Sequence, residues 1–144
     1  MEMLQQLKER YEKYAQDAAK AFAAARPGDG LWGWGNDPKN DPCHMAFYED
    51  TERWVREFLA ARPRQEAVFE AAQFILETPA AYQKEHCYWF MYAAQGLTRE
   101  MIPLLTDGQC ALLREFYDAH FPRRDRMPVQ KEVYKLLKKG AGKG

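Results

Sequence analysis

The chain has 144 residues, the size of one domain, and its twenty-one Lys and Arg are matched by twenty-one Asp and Glu. Net charge therefore gives no ground for generic binding to nucleic acid or membrane. An aromatic content of 14% excludes a disordered chain, and the longest unbroken apolar run, Cys87 to Ala94, is too short for a membrane-spanning helix. The chain contains no serine, which removes serine nucleophiles. Met1 to Lys13 has no apolar secretory core, and three cysteines without framework spacing read as free thiols, so a cytoplasmic location is expected.

Val, Ile and Thr together supply ten residues against twenty Ala, which favours helices over strands. The fold expected is all-α, a compact bundle of about five longer helices plus a short turn; a short helical-repeat arrangement is the alternative. Leu4, Leu7, Tyr11, Tyr14, Ala18 and Phe22 form one apolar face of a first helix over about 2–26. Pro27-Gly28 ends it and opens the longest loop, which carries Trp32 and Trp34. Asp41-Pro42 matches a helix start, and His44, Phe47, Tyr48, Thr51, Val55 and Phe58 stripe a second helix to about Arg62. A third helix spans about 64–77, with Val68, Ala71, Ala72 and Ile75 on its apolar face.

Thr78-Pro79 opens a fourth helix, closed by Gly96. Its stretch Cys87 to Ala94 is apolar on every side, which predicts a central rod over 79–96 enclosed by the other helices. A short element around Pro103 follows, and Thr106 with Gln109 predicts a capping box for a helix to about Phe121. The last helix is predicted from Pro128 to Lys139, with Val129, Val133, Leu136 and Leu137 opposite Lys131, Lys135, Lys138 and Lys139. Residues 1–139 are read as one helical domain and 140–144 as a flexible tail.

Function is read from what is exposed and what is missing. From Pro122 to Gly144 there are eight basic and two acidic residues, leaving the rest of the chain with an equal negative excess. Arg123, Arg124, Arg126, Lys131 and Lys135 are accordingly candidate contacts to an acidic protein or to phosphates. Trp32 and Trp34 in the loop are candidate stacking residues for a partner, or a lid over the bundle end. His44, His86 and His120 each fall on the apolar stripe of a different helix, and inward imidazoles on separate helices are how a divalent transition metal can be held in a bundle. Neutral histidines satisfied in the core are the competing explanation, since neither a His pair at i, i+4 nor a Glu-x-x-His spacing is present. Cys43 beside His44 is opposed as a thiolate by Asp37, Asp41, Glu49 and Asp50.

The expectation is a small soluble macromolecule-binding protein, an adaptor, inhibitor or immunity-type partner, that needs neither catalysis nor a cofactor. Another protein is the expected partner, and membrane insertion is not expected. The alternatives are a metal-binding helical bundle built on the three histidines, with or without enzymatic activity, and a nucleic-acid binder acting through residues 123–139.

Overall fold

A computed structural model describes residues 2–24, 42–85 and 87–139. The loop with Trp32 and Trp34, His86 and the expected tail at 140–144 lie outside the described residues. Among the described residues there are six α-helices, linked in places by 3-10 turns, and no strand. They are α1 (Glu2–Ala24), α2 (Pro42–Ala60), α3 (Gln65–Glu77), α4 (Tyr88–Ala94), α5 (Asp107–His120) and α6 (Pro128–Lys139).

The periodic stripes become the core. Leu4, Leu7, Tyr11, Tyr14 and Ala18 of α1 are buried, as are Phe47, Trp54, Val55 and Phe58 of α2. The two helices pack along each other: Tyr14 stacks on Phe47 at 4.1 Å between ring centroids, Tyr11 meets Phe47 edge-on at 4.8 Å, and the Trp54 indole N–H donates to the Met3 carbonyl at 2.8 Å. Tyr11 also meets Phe74 of α3 edge-on at 4.8 Å, so one tyrosine ties three helices together. Arg62 closes α2 in the left-handed region at φ 53°, directly before Pro63, and forces the turn into α3.

The expected central rod over 79–96 is instead three pieces. A 3-10 turn covers Thr78–Tyr82, polar Gln83, Lys84 and Glu85 lie exposed at the turn that follows, α4 holds seven residues, and Gln95–Glu100 is again 3-10. Within α4 and its cap, Cys87, Met91 and Ala94 are buried at i, i+4 and i+7, whereas Trp89 is 52% exposed. The segment sits amid α2, α3 and α6, with Phe90 stacked on His44 of α2 and Tyr88 packed against the core, and turns Trp89 to solvent. Eight consecutive apolar residues had implied enclosure on all sides; here the outward face carries aromatic rings instead of polar groups.

Buried polar groups close the joints. The Gln95 amide donates to the Leu76 carbonyl at 2.8 Å, supplying a partner at the C-terminal end of α3 where helical carbonyls have none. The expected capping box of α5 is present in both directions: the Gln109 amide N–H donates to Thr106 Oγ1 and the Thr106 N–H donates to Gln109 Oε1, each at 3.0 Å. α6 docks between α5 and the 95–100 turn, burying Gln130, Val133 and Leu137. Gly96 is what permits that approach, since a Cβ there would stand 2.9 Å from Val129 Cγ2. We expect Gly96→Ala to cost about 1–3 kcal/mol by overpacking. In a Val129→Ala background most of that cost should vanish, which urea denaturation of the four proteins in the cycle checks.

Candidate anion-binding groove

The basic segment divides into charges used inside the fold and charges left for solvent. Arg126 belongs to the first kind: its side chain is 5% exposed. Its Nε donates to the Phe121 carbonyl at 2.8 Å and its Nη2 to Asp118 Oδ1 at 3.0 Å. The guanidinium carbon lies 4.3 Å from the Tyr134 ring centroid and 5.7 Å from that of Tyr117, so the cation is held between two aromatic faces. Arg126, a candidate partner contact, is anchored within the fold: it joins the start of α6 to the end of α5, because a planar cation at this crossing finds a carbonyl, a carboxylate and two rings at once. The joint continues through the Tyr134 hydroxyl, which donates to Asp118 Oδ2 at 3.1 Å, and through Arg114 Nη1, which donates to the Leu137 carbonyl at 2.7 Å.

Beside this joint lies a cavity of about 280 Å³ lined by Arg123, Arg126, Lys131, Tyr134, Lys135 and Lys138. Local helix geometry explains the set. Lys131, Lys135 and Lys138 are spaced i, i+4 and i+7, which aligns them on one face of α6, and Tyr134 shares that flank. Arg123 comes from the 3-10 turn Arg123–Asp125 that delivers the chain to α6. Among the described residues, no salt bridge engages Arg123, Lys131, Lys135 or Lys138. The Asp118 carboxylate beside the groove is already hydrogen-bonded to Arg126 and Tyr134. The result is an aromatic-walled groove with four cations that make no salt bridge to described residues, Arg123 acting on Asp118 only through its field.

Of the residues expected to bind a partner, Arg123, Lys131 and Lys135 are thus brought to one site. Arg126 lines it from within, and Arg124 is exposed outside the lining. Tyr134 and Lys138 complete the groove; the helical spacing of Lys131, Lys135 and Lys138 was the signal for the latter.

The histidines do not share a common environment. His44 is buried in the first turn of α2, hydrogen-bonded through Nδ1 to the Tyr14 hydroxyl and stacked on Phe90 at 4.4 Å. His120 was expected to face inward but is exposed, stacked on Phe116 at 4.1 Å. The buried stripe of α5 runs Cys110, Leu113, Tyr117, and Phe121, four residues after Tyr117, takes the next buried place, which leaves His120 in the last turn on the exposed side. His86 lies outside the described residues. Among the described residues no group of three His, Cys, Asp or Glu side chains is placed to hold a metal ion.

Two other surfaces compete as sites. A larger cleft of about 450 Å³ is lined by Leu4, Lys8, Glu70, Gln73, Phe74, Glu77, Thr78 and Phe116, so both signs of charge occur in its lining. Burial raises the Glu77 carboxyl above its usual range, and the hydrogen bond from Gln73 partly opposes that. On α4, Tyr88, Trp89 and Tyr92 form a cluster with centroids 5.6 to 6.1 Å apart. Compared with protein-family models, curated proteins and solved structures, the chain matches none of them.

The Arg126 joint has a pH signature. The hydrogen bond from Arg126, reinforced by that from Tyr134, holds the Asp118 carboxyl below its ordinary value. A carboxyl with a lower pKa folded than unfolded adds stability above the unfolded value of about 4, and that contribution disappears as pH falls through the folded value. Asp118→Asn should therefore flatten the acid limb of the stability curve below about pH 4. Arg126→Met should cost about 1.5–3 kcal/mol at neutral pH through the lost charged hydrogen bonds, read by denaturant titration.

Proposed function

We propose that this protein is a non-catalytic binding module, an adaptor, inhibitor or immunity-type protein of the cytoplasm, that engages an acidic partner protein through the groove of α6. The observation that carries this reading is the alignment of Arg123, Lys131, Lys135 and Lys138 around Tyr134 without salt bridges to described residues. Surface cations on a helix commonly meet acids at i±3 or i±4, as Lys13 meets Asp17 at 2.7 Å. Among the described residues the groove lysines make no such pair, since Glu132, three residues before Lys135, is taken by Arg99, and their charge is left for another molecule. A cationic patch beside an aromatic ring speeds encounter with an acidic surface and fixes its register. The buried Cys87 thiol is compatible with a reducing compartment. Among the described residues no helix is long and apolar enough to cross a membrane.

Copurification from the native cell, followed by mass spectrometry, tests this with the wild type and with the Lys131→Glu/Lys135→Glu variant. Each exposed pair is worth up to about 1 kcal/mol, and reversal adds repulsion of similar size. The double variant should therefore bind the captured partner about ten- to hundredfold more weakly, with an unchanged melting temperature. A partner retained equally by both proteins sinks the reading. Capture that disappears on nuclease treatment transfers the groove to nucleic acid, whose binding would also fall steeply with salt.

A further inference from the structure

We infer that the α6 groove recognises a phosphoryl group, whose negative charge at neutral pH approaches two. This rests on the reading of the groove as the binding site and adds the chemistry of what enters it. Charge density is the first reason. Five cationic side chains line about 280 Å³, and four of them are free of salt bridges to described residues. A carboxylate brings one charge, so a short acidic segment places few charges in so small a volume. A phosphoryl group brings nearly two charges at neutral pH together with three strong acceptor oxygens.

Donor geometry is the second reason. Arg126 lines the cavity with its side chain almost wholly buried and fixed by Phe121, Asp118 and the two tyrosine rings. Its Nε and Nη2 are occupied, while Nη1 makes no hydrogen bond to a described residue. A guanidinium locked in place with one nitrogen unused is a preorganised donor for a tetrahedral oxyanion. Arg123 supplies a second planar donor, and Lys131, Lys135 and Lys138 supply mobile point charges around it.

Isothermal titration of the whole protein with inorganic pyrophosphate, against sulfate at equal ionic strength, is the direct test. Pyrophosphate should bind at least tenfold more tightly than sulfate. Arg123→Gln/Lys135→Gln should reduce that affinity at least tenfold while the melting temperature holds; Arg126 is left intact because α6 docks through it. A degenerate phosphoserine peptide library and its aspartate counterpart then separate the sources. Tighter, groove-dependent capture of the phosphopeptides, weakening as pH falls through the second phosphate pKa near about 6, assigns the group to a phosphorylated partner. Pyrophosphate binding without any preference for phosphopeptides assigns it to a free polyphosphate. Pyrophosphate no tighter than sulfate, or affinity unmoved by the double variant, overturns the inference. If aspartate peptides nevertheless bind through the groove, the acidic-partner reading survives that failure; if neither library binds in a groove-dependent way, the failure extends to both.

Discussion

The Arg126 guanidinium organises the half of the molecule that carries the candidate site. It is a buried cation, which is costly unless its charge and its donors are answered. Here the Phe121 carbonyl, the Asp118 carboxylate and the faces of Tyr134 and Tyr117 answer most of them. Because those partners come from the end of α5, the turn after it and the body of α6, satisfying the cation fixes how α6 lies on the bundle. Burial drives the Tyr117 hydroxyl pKa upward, so the ring beside Arg126 stays neutral and adds no competing charge.

That arrangement has a consequence on the outer side of α6. Asp118, an acid within reach of the helix, is committed to Arg126 and Tyr134, and Glu132 is committed to Arg99 at 2.7 Å on the opposite flank. The acids are drawn to the two joints that hold α6 in place, and the lysines are left together along the remaining face. The charge asymmetry of the chain is thereby converted into a localised groove by the way the helix docks. The same segment both ties the fold and presents the charge.

The α4 region shows a second consequence of docking. Cys87, Met91 and Ala94 face the core, Tyr88 packs against its edge, and Trp89 is turned outward, with Tyr88, Trp89 and Tyr92 resting on one another. An unbroken apolar run carries no periodic contrast between faces, so nothing in it distinguishes an enclosed rod from a short helix with an aromatic outer surface. Where contrast existed, the reading was accurate: the α1 stripe from Leu4 to Ala18, the Thr106–Gln109 box and the Pro128 start of α6 all appear as expected. The groove was partly legible for the same reason. Lys131, Lys135 and Lys138 are aligned by the helical repeat, but Arg126 sits among other basic residues with no local mark of its inward course.

Composition and periodicity by themselves established an all-α chain, the apolar faces of its long helices, their punctuation by proline and capping residues, and the crowding of positive charge near the C-terminal helix. These are properties of neighbours in sequence, separated by one to seven residues. Tertiary structure alone decided that the stretch over 79–96 breaks into three, that His120 turns outward, and that Arg126 is anchored inside while its basic neighbours in the groove make no salt bridge to described residues. Each of those depends on groups far apart in the chain meeting across a helix crossing, where close packing and the need to satisfy buried polar atoms outweigh local pattern.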